Sequence, residues 1–126
     1  MGYMTDGLTF NVLRQANQVR ARSADKFKDC KQWTIDQWFK ALVGEIGEFA
    51  NISKKVDRGD FTADEAKESL AKELADVAIY LDILADKLDI DLGKATIDKF
   101  NEVSRRINSP IMIDESGSDY YQANSY

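Results

Sequence analysis

Apolar positions along the chain recur in steps of three and four, the spacing of helices that each bury one face, and they predict four such elements. The first runs from about Thr9 to about Ser23, with Val12, Ala16 and Val19 in phase. The second opens at Thr34, whose Gln37 three residues on makes a capping box, and runs to about Arg58, where Gly59 stops it. Its stripe of Ile35, Phe39, Leu42, Ile46, Phe49 and Val56 reads as one continuous buried face. The third opens at Thr62 with Glu65 in the same capping relation, and carries Leu70, Leu74, Val77, Leu81, Leu84 and Leu88. The fourth starts near Asp91, ends near Ile107 and buries Phe100, Val103 and Ile107. No segment alternates like a strand of useful length. The single proline, Pro110, falls after the last helix, so nothing of that kind interrupts the pattern. The expectation is an all-α, four-helix bundle-like single domain over 1–108, followed by a Ser/Gly/Asp/Tyr-rich tail over 109–126 that needs a neighbour to order it.

Composition narrows the chemistry. At 126 residues the chain has room for one core. Its net charge of −5 argues against general nucleic-acid binding, which needs a basic surface. No apolar run is long enough to span a bilayer, and the first ten residues lack the flank and core of a signal peptide, so the cytoplasm is expected. One cysteine, Cys30, allows no disulfide within the chain. There is no histidine, which removes imidazole catalysis and the usual zinc sites and leaves carboxylates, cationic side chains, tyrosine or a hard cation.

Against that background two acidic pairs stand out, Glu45-x-x-Glu48 on the second helix and Glu73-x-x-Asp76 on the third. Residues three apart share a helical face, so each pair presents its oxygens to one side. One such pair alone is ordinarily a solvated acidic face. Here there are two, placed mid-helix in the two longest helices and bordering the apolar stripes, where clustered acids lose hydration and repel. Gly44 and Gly47 beside them each weaken the helix by about 1 kcal/mol relative to alanine, which suggests close approach of a helix or a ligand. Oxygen-rich, histidine-free ligation suits magnesium, with manganese as a substitute.

The segments ALVGEIGEFANISKK (41–55) and KELADVAIYLDILADKLDIDL (72–92) resemble the MazG-like all-α nucleoside triphosphate pyrophosphohydrolases, over roughly Trp33 to Arg106. The resemblance implies that Glu45, Glu48, Glu73 and Asp76 ligate Mg²⁺ and orient a water. That water would cleave a nucleoside triphosphate to the monophosphate and pyrophosphate. It also implies phosphate contacts from a fourth-helix K-x-x-x-N-x-x-R pattern. Lys99 and Arg106 match that pattern, but Val103 stands at the asparagine position and Asn101 lies on another face. Lys54 and Lys55 carry a weaker claim of the same kind. The compact form resembles phage-type members, which points to deoxynucleotide-pool control, with dGTP or GTP favoured.

Trp38 lies seven residues before Glu45, about 10 Å along the same face, and is the strongest candidate to stack on a base. Gln37, Trp33 and Tyr80 are further candidates for that end of the site. On the third helix Ala71, Ala75, Ala78, Ile79 and Ile83 widen the stripe beyond one seam, which with the resemblance suggests a homo-oligomer, a tetramer of two dimers. The competing readings are a non-catalytic helical interaction module, and a related dUTPase-like or phosphoribosyl-ATP pyrophosphohydrolase.

Overall fold

The computed structural model describes residues 7–23 and 32–124; Cys30, the expected leaderless start through Asp6 and most of the basic loop after the first helix lie outside them. The protein is all-α apart from one short hairpin: α1 (Phe10–Ser23), α2 (Ile35–Asp57), α3 (Ala63–Lys87), α4 (Leu92–Arg106), β1 (Ile111–Ile113) and β2 (Tyr120–Gln122). It divides into two compact units, Met1–Leu88 and Asp89–Tyr126.

In the first unit the helix ends fall where local chemistry puts them. Thr34 and Thr62 each accept a hydrogen bond from the N–H three residues on, and the side chains of Gln37 and Glu65 return the bond. Both capping boxes are therefore complete. At the other end of α2, Gly59 takes φ +90° and donates to Val56, while Asp60 N–H donates to Lys55. This is a Schellman stop, which a residue with a Cβ would adopt only under strain. The short turn that follows lets α3 run back along α2. Glu45 meets Glu73 near the middle and Trp38 meets Tyr80 nearer the α2 start, so the pair is antiparallel.

The expected continuous buried face of α2 is corrected by this packing. Trp38 and Leu42 are buried, at 3% and 7% exposure, but Ile35, Phe39 and Ile46 are about half exposed. Burying the bulkiest side chain of the helix turns Trp38 and Glu45 toward α3. Ile35, Phe39, Val43 and Ile46 are thereby left on a second stripe roughly 100° round. On α3 the same shift puts Leu70, Glu73, Val77, Tyr80 and Leu84 inward, and leaves Leu74, Leu81 and Leu88 exposed.

α1 lies against α3 through polar groups. Asp82, wholly buried, accepts from Arg14 Nε and from Asn17 Nδ2, each at 3.0 Å, and Asp86 accepts from Gln18. Asp82 is nine residues after Glu73, two and a half turns, and so on the opposite face of α3. A buried carboxylate of this kind is tolerated because its oxygens are matched by donors, one of them charged.

In the second unit Asp91 caps α4 by accepting from Lys94 N–H at 3.0 Å, and α4 ends at Ile107 with Asn108 in the left-handed region. The tail that follows is ordered within the chain rather than by a neighbour. β1 pairs antiparallel with β2, Met112 opposite Tyr121. Asn101 of α4 holds β1 by both ends of its amide: Nδ2 donates to Ile113 O at 2.9 Å and Oδ1 accepts from Ile113 N–H at 2.8 Å. Met112 is buried beneath the strand. A two-stranded ribbon is marginal alone, and this clamp with the Met112 contact supplies the missing support.

Candidate metal centre

Because α2 and α3 are antiparallel and turned as described, their acidic pairs meet in the seam between them. Glu45, Glu73 and Asp76 each offer a carboxylate oxygen, and the three oxygens lie within 4.8 Å of one another. Glu45 Oε2 and Glu73 Oε2 are buried and accept no hydrogen bond among the described residues. Among the described residues none of the three carboxylates forms an ion pair. Glu48 is exposed and outside the trio, close enough to Glu73 to act on its titration.

The cost of this arrangement appears in the protonation equilibria. Glu45 is pushed from the ordinary 4.5 up to about 7, first by burial, then by the charges of Glu48, Asp76 and Glu73. Glu73 is also raised, by burial first and then by Glu48. Two buried, unmatched carboxylate oxygens beside a third acid are what a divalent cation would neutralise, and all-oxygen donors suit a hard ion. The residues present therefore fit magnesium or manganese.

A pH dependence follows. Below about pH 7 the folded protein keeps a proton on Glu45 that the unfolded chain has already lost above 4.5. Metal-free stability therefore falls as pH rises through that window. A cation competes with the same proton, so Mn²⁺ affinity should climb roughly ten-fold per pH unit up to about 7 and then level. Titration calorimetry between pH 5.5 and 8.5 reads this directly. The Glu45→Gln protein should lose the slope; a slope unchanged in that variant would remove Glu45 from the site.

The remaining expected residues are placed as follows. Trp38 packs against Trp33, at 4.9 Å between ring centres, and against Tyr80, at 6.0 Å, both rings tilted to it. Gln37 is exposed, with Oε1 committed to the Thr34 cap. Lys54 is exposed in the last turn of α2, and Lys55 is half-buried. Lys99 and Arg106 are exposed on α4 in the second unit, Lys99 beside Glu102 at 3.3 Å. Gly44 and Gly47 face open space, since an added Cβ would meet nothing within 4 Å. Close helix packing within the described residues is therefore not the reason for either glycine. The residues that sequence reasoning passed over are Asp82 and its donors Arg14 and Asn17. Their signal in the sequence is a carboxylate on the face of α3 away from Glu73, with the donor pair Arg14 and Asn17 on α1.

No protein-family model matches the chain. The chain is 39% identical over 67 residues to the Gene 37 protein of Mycobacterium phage L5. The match takes in 52% of this chain and 59% of the phage protein, so the chain spans under two thirds of that relative's length.

Proposed function

We propose that the protein is a Mg²⁺-dependent nucleoside triphosphate pyrophosphohydrolase. The observation that carries this reading is the trio of carboxylate oxygens within 4.8 Å, contributed by two helices, with two of the acids holding a buried oxygen without a partner. The MazG-like pattern of paired acids supports it from the sequence side, and the phage relative agrees with a phage-type origin without adding an activity.

Glu45, Glu73 and Asp76 hold the cation, which when bound supplies positive charge to the phosphate chain and lowers the pKa of a water. Glu48, exposed beside Glu73, accepts the proton of the attacking water. Lys54 steadies the phosphates, and the aromatic cluster around Trp38 takes the base. The substrate is a (d)NTP, with dGTP or GTP favoured, and nucleotide-pool control places the work in the cytoplasm. The assembly is a homo-oligomer, a tetramer of two dimers.

The reading is tested with all common ribo- and deoxynucleoside triphosphates in Mg²⁺, products being separated by ion exchange. The expected products are the monophosphate and pyrophosphate. Orthophosphate with the diphosphate as the first products, in the absence of any pyrophosphatase, would replace the assignment with a different cleavage.

The exposed apolar stripe on α2 favours a second reading, an interaction module in which the acids only solubilise the helices. In that case Mn²⁺ would bind no better than to the Glu45→Gln/Glu73→Gln protein.

A further inference from the structure

The seam between α2 and α3 holds a second unusual group two turns from the acids. Trp38 is only 3% exposed, yet among the described residues its indole Nε1–H donates to nothing. A buried indole N–H ordinarily finds an acceptor, because leaving it unmatched costs about as much as a lost hydrogen bond. Its position is set by the register that sets the acids. Trp38 precedes Glu45 by seven residues and Tyr80 follows Glu73 by seven, so in antiparallel helices the aromatic pair sits about 10 Å along one seam from the carboxylate trio.

The other ring packed against Trp38 is also informative. Trp33 lies outside α2, one residue ahead of the Thr34 cap, and is half-buried with its ring tilted 56° against Trp38. Its ring is anchored by no helix, so it can leave Trp38 without breaking a turn of α2.

We infer that the Trp38 indole N–H is a ligand-recognition donor: it binds the acceptor edge of a flat heteroaromatic ring that takes the place of Trp33 against Trp38. The ligand is a heterocycle carrying a ring nitrogen or carbonyl oxygen, joined to an anionic group that reaches the acids about 10 Å away. This rests on the nucleotide reading above and adds to it the point at which the ring is read. Tyr80 holds the Trp38 ring from α3 by a tilted contact at 6.0 Å, and the entering ring would exchange the tilted Trp33 contact for one of its own.

The protein contains two tryptophans, so Trp33→Phe leaves Trp38 as the sole indole emitter. Titration of that variant with each of the four deoxynucleoside triphosphates in Ca²⁺ should shift Trp38 emission saturably for at least one of them, while inorganic tripolyphosphate leaves it unmoved. In the otherwise native chain, Trp38→Phe keeps a ring and removes the donor. It should weaken that nucleotide about three- to ten-fold and leave tripolyphosphate affinity unchanged. Emission that no nucleotide moves overturns the inference, as does an equal loss for nucleotide and tripolyphosphate. If Trp38→Phe does not fold by circular dichroism, the Trp33→Phe titration decides alone. Hydrolysis by the native chain is scored separately. Nucleotide binding seen at Trp38 without hydrolysis defeats the pyrophosphohydrolase reading and leaves this one standing; hydrolysis with a silent Trp38 does the reverse.

Discussion

Glu73→Gln should lower turnover of the preferred triphosphate by roughly 10³-fold, with Glu48→Gln close behind, and neither should unfold the protein. Glu73 sits in the trio with a buried, unmatched oxygen, so its amide removes a charged ligand and places an N–H₂ where a cation would lie. Losing an outer-shell partner of a metal ligand already costs 10–100-fold, and loss of the ligand itself should cost more. Glu48 is exposed beside Glu73, and in the proposed reaction its loss would remove the acceptor for the water's proton, an effect of about 10²–10⁴-fold. The fold is spared for the same reason that the site is uncomfortable. Burial and the neighbouring Glu48 raise the Glu73 titration, so neutralising the side chain relieves repulsion. At pH 8 without metal the Glu73→Gln protein should melt no lower than the native one. Steady-state kinetics with thermal melts on both variants check this. Activity retained by both would dismiss the trio as the reaction centre, and a lower melting point would mean that the carboxylate supports the fold.

How much of this was legible beforehand differs by level. Thr34, Gln37, Thr62, Glu65, Asp91 and Gly59 bound their helices where the sequence pattern predicts, because caps and left-handed stops are decided by residues next to one another. The meeting of Glu45, Glu73 and Asp76 was also legible, since spacing within each helix fixes a shared face, whereas the same spacing placed Glu48 with them and the structure leaves it exposed outside the trio. The rotation of α2 was not. Ile35, Phe39 and Ile46 make as good a stripe as Trp38 and Leu42, and only packing against α3 chooses between two overlapping apolar faces. That choice moves Glu45 from the border of the seam into it, which is why its carboxyl titrates near 7. Asp82 was hidden for the converse reason: an aspartate reads as surface, and its burial depends on Arg14 and Asn17, far away in the chain. The hairpin of β1 and β2 was missed because its strands are three residues each, too short for alternation to register, and because Asn101, which holds it, reads only as a helix residue.

The rotated stripe yields the other large effect, on assembly. Ile35, Phe39, Val43 and Ile46 on α2 and Leu74 and Leu81 on α3 are all exposed. In an antiparallel pair, each set lies roughly 100° from its own helix's contact face. The helices run in opposite directions, so these rotations bring both sets to one side of the hairpin. Glu48 and Asp76 lie to the other side of their contact faces. Large side chains gathered on one side of two helices make a contiguous apolar patch, a feature that marks an interaction surface. Facing a copy of itself across a two-fold axis, such a patch would form a four-helix core with apolar residues on both halves, leaving the acid seams outward. Phe39 and Leu74 are about half exposed and gain most from such cover. Light scattering at micromolar concentration should therefore give a multiple of 14.3 kDa for the native chain. Phe39→Glu with Leu74→Lys should return it to a single-chain mass, by setting charges in a surface that the pairing buries. Both helices would persist, since neither position faces the α2–α3 seam. A native mass of 14.3 kDa would end the oligomer proposal, and an unchanged oligomer in the double variant would move the interface elsewhere.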